Sequence, residues 1–168
     1  DMIIALVMGL AIMLAILVLE FNSFRYAFYL LMAVPLSLIG VLGGLAISGM
    51  ALSFSSMLGF IALAGVIINH AIILLDSILH RLNFEKISPT GKNLHDIIVE
   101  SSAIRLRPIV LTTLTTVVGM IPLSFVSALW GPLAVAIMFG LTFAMVLTLI
   151  MIPMFFYRYP GKLYKGMK

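Results

Sequence analysis

The chain has 168 residues, of which 63% are apolar and only 10% charged, and its net charge is +4. Soluble domains carry about 25% charged residues, and no soluble core of this size could hide so much apolar surface, so the composition excludes a soluble globular domain and points to lipid. The absence of cysteine excludes a disulfide framework and a thiolate metal site. The basic residues sit in short polar stretches, with no basic face alternating with aromatics, which excludes a nucleic-acid surface.

A membrane-spanning helix needs about 20 mostly apolar residues. Residues 2–19 form the first such run. A signal peptide has a basic leader and a small-residue cleavage site, whereas Asp1 precedes this run and Glu20-Phe21-Asn22 follows it. We therefore read a retained helix, about 2–20. Because the chain opens on Asp1 rather than Met, it is expected to begin inside a longer natural sequence. Residues 26–75 contain no Asp, Glu, Lys or Arg and are too long for one span. Ser48-Gly49-Met50-Ala51-Leu52-Ser53 permits a tight turn, which predicts helices over about 26–48 and 52–80. A polar stretch, 81–107, precedes a fourth helix over about 108–127. Trp130-Gly131-Pro132 marks the next turn, a fifth helix covers about 132–157, and a basic tail occupies 158–168.

Basic residues favour the cytoplasmic side of a membrane protein. Five spans place 21–25, 81–107 and the tail on one side, and all ten Lys and Arg residues fall there. This predicts a cytoplasmic C-terminus. Within 81–107, Ser88-Pro89-Thr90-Gly91 is a turn signal. Leu94, Ile97, Ile98 and Ile104 then recur at helical spacing, opposite His95, Asp96 and Glu100, as in an amphipathic helix at the cytoplasmic interface. It leads into the fourth span through Arg105-Leu106-Arg107-Pro108, since Pro is tolerated in a first helical turn. The expected fold is an all-α membrane protein: a single transmembrane domain, 1–168, of about five spans plus one interfacial helix.

Gly40 and Gly44, with Gly43 beside them, and Gly140 with Ala144 are small-residue pairs of the kind that let membrane helices approach closely; ordinary bundle packing accounts for them. Pro35 should kink the second helix and free a carbonyl.

Ionisable residues at membrane depth usually face the bundle interior or a water-filled cavity. Asn69 and Asp76 share a face of the third helix with Gly65, and His70 lies about 100° round from Asn69. His70 fits two readings: a group that exchanges protons near physiological pH, or a neutral packing residue hydrogen-bonded to a neighbouring helix. Thr112, Thr113, Thr115 and Thr116 of the fourth helix also fit two. Each hydroxyl can bond its own helix, or Arg105, Thr112 and Thr116, at i, i+7 and i+11, can form a polar stripe facing that of the third helix, as in a hydrated ion path.

The runs Leu19-Glu20-Phe21-Asn22-Ser23-Phe24-Arg25 and Val34-Pro35-Leu36-Ser37-Leu38-Ile39-Gly40 resemble the resistance-nodulation-division (RND) efflux transporters. So does Gly65-Val66-Ile67-Ile68-Asn69-His70-Ala71-Ile72-Ile73-Leu74-Leu75-Asp76. The most specific match is Arg105-Leu106-Arg107-Pro108-Ile109-Val110-Leu111-Thr112-Thr113, followed by Gly119-Met120-Ile121-Pro122-Leu123. The resemblance covers almost the whole chain and is to the last five of the family's twelve membrane helices. It implies a proton-driven antiporter of the bacterial inner membrane, usually trimeric, exporting drugs, other amphiphiles or metal ions. It further implies a periplasmic adaptor and an outer-membrane channel as partners, and an N-terminal half related to this one as a parallel repeat. The family's relay takes a carboxylate pair from that first half. From this half it takes an Arg and a Thr, which match Arg105 and Thr112, and a Lys, whose position falls on Asn69, with the following Asn falling on His70. Asn69 cannot carry charge, so either His70 supplies the cation or coupling differs here.

The sequence therefore leads to the membrane portion of an efflux transporter for hydrophobic or amphiphilic compounds such as drugs. A related lipid exporter, a protein-translocation accessory subunit and a fragment without transport of its own are the alternatives. An enzyme is not expected, because the chain has no Cys, no Gly-x-Ser-x-Gly and no His-Glu-x-x-His. No cofactor and no metal are expected.

Overall fold

In lipid no water satisfies the backbone, so apolar runs of this length fold as helices, whose hydrogen bonds stay within the segment. The computed structural model describes residues 2–87 and 94–158. Among these residues there is no strand, and the elements are α1 (Met2–Phe21), α2 (Phe24–Ile47), α3 (Phe54–Ile87), α4 (Leu94–Ser124) and α5 (Trp130–Arg158). All five are long and apolar enough to cross a membrane. Large apolar side chains such as Leu19 and Phe125 lie more than four-fifths exposed, an arrangement that lipid tolerates and water does not.

The turns are locally encoded. Between α1 and α2, Asn22 adopts a left-handed φ of 44°, which Asn tolerates better than other non-glycine residues. After α2, Gly49 has φ of +66°, its N–H bonds to the Ala46 carbonyl at 3.2 Å and the Met50 N–H to the Leu45 carbonyl at 2.9 Å. This is the paired closure that ends helices at a left-handed glycine. The next helix opens reciprocally: the Ser53 N–H donates to Ser56 Oγ at 2.9 Å, and the Ser56 N–H to Ser53 Oγ at 3.3 Å. Each serine thereby satisfies a donor that the start of a helix leaves orphaned.

α5 is the central helix and packs on α2, α3 and α4. It runs antiparallel to α2: a Cβ on Gly44 would collide with Phe139, and one on Gly40 with Phe143. It runs parallel to α3, where a Cβ on Gly59 would lie 2.9 Å from the Leu133 carbonyl oxygen and one on Gly140 would strike Leu63. Gly40 and Gly44 are therefore notches for two phenylalanines spaced one helical turn apart, and Gly40 also faces the Phe139 backbone carbonyl. α2 is continuous through Pro35; the missing N–H of Pro35 leaves the Leu31 carbonyl without its helical donor. Close by, the buried Ser37 hydroxyl donates to the Val34 carbonyl at 2.6 Å.

The polar stretch expected over 81–107 is organised differently. α3 continues to Ile87, and α4 begins at Leu94 and runs through Pro108 without a break, so the expected interfacial helix is the first part of α4. Ile97 and Ile98 are buried in the common core while Ile104 is half exposed. The segment packs on the bundle through two adjacent isoleucines, and Ile104 of the expected stripe does not join them. At 1.5 Å per residue the 34 residues of α3 measure about 50 Å and the 31 of α4 about 46 Å, against a hydrocarbon layer of about 30 Å. Both overshoot at the same end, where Arg81 Nη1 lies 2.8 Å from Glu100 Oε1. That end also holds Arg25, Arg105, Arg107 and Arg158, as the alternation of the helices requires. The turn at 88–91, Lys92 and the tail beyond Arg158 lie outside the described residues.

Candidate polar centre between α3 and α4

α4 runs antiparallel to α3. The Arg81–Glu100 contact marks their relative register, and the same register brings His70 opposite Thr112. His70 is buried, and its Nε2 lies 3.3 Å from Thr112 Oγ1. Thr112 Oγ1 is also 3.0 Å from the Ile109 carbonyl oxygen, to which it donates. A threonine hydroxyl has one proton. While that proton goes to Ile109, the hydroxyl can only accept from His70, so Nε2 must carry a proton. If Nε2 is bare, Thr112 must turn its proton toward the imidazole and release Ile109. The arrangement therefore converts the protonation of one ring nitrogen into the choice of partner of one hydroxyl.

The remaining residues expected here divide between two faces. Asn69 and Asp76 lie together with Gly65 on the exposed face of α3 and make no hydrogen bond among the described residues. The stripe they form does not meet Thr112; the histidine beside it does. Arg105 stands on α4 two turns before Thr112, about 10 Å along the axis, and is partly buried, its Nε enclosed without a hydrogen-bond partner. The helix register puts Asp76 level with Arg105, yet among the described residues the two form no ion pair. Thr115 and Thr116 bond back to their own helix: Thr115 Oγ1 donates toward the Leu111 and Thr112 carbonyls at 3.0 and 2.9 Å, and Thr116 Oγ1 donates to the Thr112 carbonyl at 2.8 Å. Thr113 is the exception. It is buried, and its hydroxyl has no partner among the described residues, which costs roughly 1–3 kcal/mol for a neutral group. The threonine cluster signalled polarity at this depth but not which hydroxyl would be left over, because that depends on how α4 is rotated within the bundle.

Two packing partners escaped the sequence reading. Phe139 and Phe143 were legible only as apolar residues, although their i, i+4 spacing matches that of Gly40 and Gly44.

The sequence matches the profile of the AcrB/AcrD/AcrF family over residues 1–159. The chain is 30% identical over 154 residues to the swarming motility protein SwrC of Bacillus subtilis (strain 168), which covers 89% of this chain and 14% of that protein. Its fold is similar to two crystal structures of a heavy metal efflux pump, each 33% identical. Crystal form II gives a TM-score of 0.76 over 94% of this chain and 15% of the pump; crystal form I gives 0.71 over 89% and 14%. The chain thus spans about one seventh of the length of these relatives. Five membrane-crossing helices in this order, with a family match over nearly the whole length, place the chain in the AcrB/AcrD/AcrF family of RND efflux transporters.

Proposed function

We propose that this chain supplies membrane helices to a proton-driven efflux transporter and that His70, with Thr112 and Arg105, forms its half of the coupling path. The observation that carries this reading is the His70–Thr112 contact. The family's cationic relay position falls on the uncharged Asn69, and the next residue is a titratable group hydrogen-bonded across to the relay threonine. The burial of His70, with the enclosed Arg105 Nε two turns further along α4, favours a site that exchanges a proton with an opposing carboxylate, and the exposed polar face of α3 at Asn69 and Asp76 suits contact with another polypeptide better than with lipid. The basic end of the bundle lies in the cytoplasm by the positive-inside tendency, in the inner membrane of a bacterium. Family membership supports assembly as a trimer, with a periplasmic adaptor and an outer-membrane channel.

The cargo we propose is a hydrophobic or amphiphilic compound, on the strength of the motif from Arg105 to Pro122 and the family match. A second reading, heavy-metal export, is favoured by the two similar efflux-pump structures. Cells carrying the wild-type protein or Arg105→Ala, matched for abundance in the membrane, distinguish these readings through accumulation of an amphiphilic dye and tolerance of a heavy-metal salt. Dye efflux lost in Arg105→Ala supports the first reading. A change in metal tolerance alone supports the second. No difference in either overturns the assignment of Arg105.

A further inference from the structure

We propose that the elbow between α1 and α2 is a binding site for a single anionic phospholipid. A cavity of about 320 Å³ lies there, between the start of α2 and the last third of α5. That volume falls at the low end of the roughly 300–1,000 Å³ typical of small-ligand sites. Its mouth carries Arg25, Asn22 and Ser23. Arg25 is exposed and, unlike Arg81, forms no ion pair among the described residues. The Ser23 hydroxyl makes no capping bond to the helix it precedes. No acidic residue lines the cavity, so the mouth is cationic.

Deeper in, the walls are apolar. Leu30 and Ala33 of α2 and Ile152 of α5 line it. Thr148, also in the wall, is already satisfied by the Ala144 and Met145 carbonyls at 2.9 and 3.1 Å. One side is stiffened by Tyr29 stacked on Phe155, with ring centroids 4.7 Å apart, and aromatic rings concentrate at the membrane–water boundary. Ala33 lies about 12 Å along α2 from Arg25, which is the step from the headgroup layer into hydrocarbon. The site therefore grades from one cation to an apolar slot in the direction in which a phospholipid grades from phosphate to acyl chain. A soluble anion would use only the mouth, and a neutral lipid only the slot.

This inference does not depend on transport. It is tested by native mass spectrometry of the protein released from vesicles of phosphatidylcholine with or without phosphatidylglycerol. Wild type should retain phosphatidylglycerol over phosphatidylcholine by about fivefold, the effect expected of one basic residue facing an anionic headgroup. Arg25→Gln, a change at an exposed position, should abolish the preference, and Arg25→Lys should keep most of it. Equal retention of the two lipids by wild type, or an undiminished preference in Arg25→Gln, overturns the proposal. So does displacement of the lipid by millimolar inorganic phosphate, because the acyl chain would then contribute nothing.

Discussion

His70 on α3 and Thr112 on α4 meet across the helix interface at 3.3 Å, and the same threonine hydroxyl reaches the Ile109 carbonyl at 3.0 Å. Hydrogen bonds between membrane helices contribute about 0.6 kcal/mol on average and at most about 1.7. A double-mutant cycle of His70→Asn and Thr112→Val in an unfolding assay is therefore expected to give a coupling energy in that range. A coupling indistinguishable from zero would mean that the two side chains do not share a proton.

Transport separates the structural role of this contact from a coupling role. His70→Asn keeps a hydrogen-bonding side chain but cannot carry charge, whereas His70→Lys can. We expect His70→Asn to lower the efflux rate by about 100-fold, the lower end of what a positioned proton-transfer group contributes, and His70→Lys to retain a measurable part of it. Equal rates in the two variants would reduce His70 to a packing residue.

Gly40 and Gly44 should tolerate nothing larger. In each case the added carbon meets the root of a phenylalanine ring, which cannot swing aside as the tip of a flexible side chain could. Gly44→Ala is expected to destabilise the bundle by about 1–3 kcal/mol, the usual cost of overpacking. Gly43→Ala is the control: open space surrounds that position, and the change should be within about 0.5 kcal/mol of neutral. Combining Gly44→Ala with Phe139→Ala should cost less than the sum of the two, because they share one contact.

The Arg81–Glu100 pair is half exposed on both sides. Pairs of this kind contribute about 0–1 kcal/mol. Arg81→Gln should therefore change stability by less than about 1 kcal/mol, and raising the salt concentration should shrink the difference further. A larger, salt-insensitive loss would show that Arg81 holds the overshooting ends of α3 and α4 together by more than charge.

Orientation is open to direct labelling, because the chain has no cysteine of its own. Asn22 and Ser48 are both exposed and lie at opposite ends of α2. A membrane-impermeant thiol reagent applied to intact cells should modify Ser48→Cys and spare Asn22→Cys. The reverse pattern would invert the bundle.

Much of the fold was legible because hydropathy over windows of about 20 residues depends on solvent rather than on neighbours. The turn at Ser48 to Ser53 was visible from its glycine and serines within a run too long for one span, and Gly49 supplies the backbone conformation that few other residues adopt. The errors lie where that logic runs out. The fourth helix was expected to start at Pro108, but among the described residues it already runs from Leu94, where Ile97 and Ile98 reach a core that the linear pattern does not display. At the polar centre, Asn69 and Asp76 had the right spacing for a shared face, and they share one. Which face turns toward α4 is a matter of helix rotation, so His70 could be read only as exchanging protons or as bonded to a neighbouring helix, and Thr112 was not foreseen as its partner. The slot beside Arg25 was not anticipated, because its walls come from helices far apart in the chain.

The two phenylalanines seated at Gly40 and Gly44 act as teeth in a rack. Sliding α2 along α5 by less than one full tooth, four residues or about 6 Å, would lift both rings onto bulkier neighbours at once. Small axial shifts between these helices are blocked, and α2 and α5 are obliged to tilt or travel as one rigid pair in any rearrangement of the bundle.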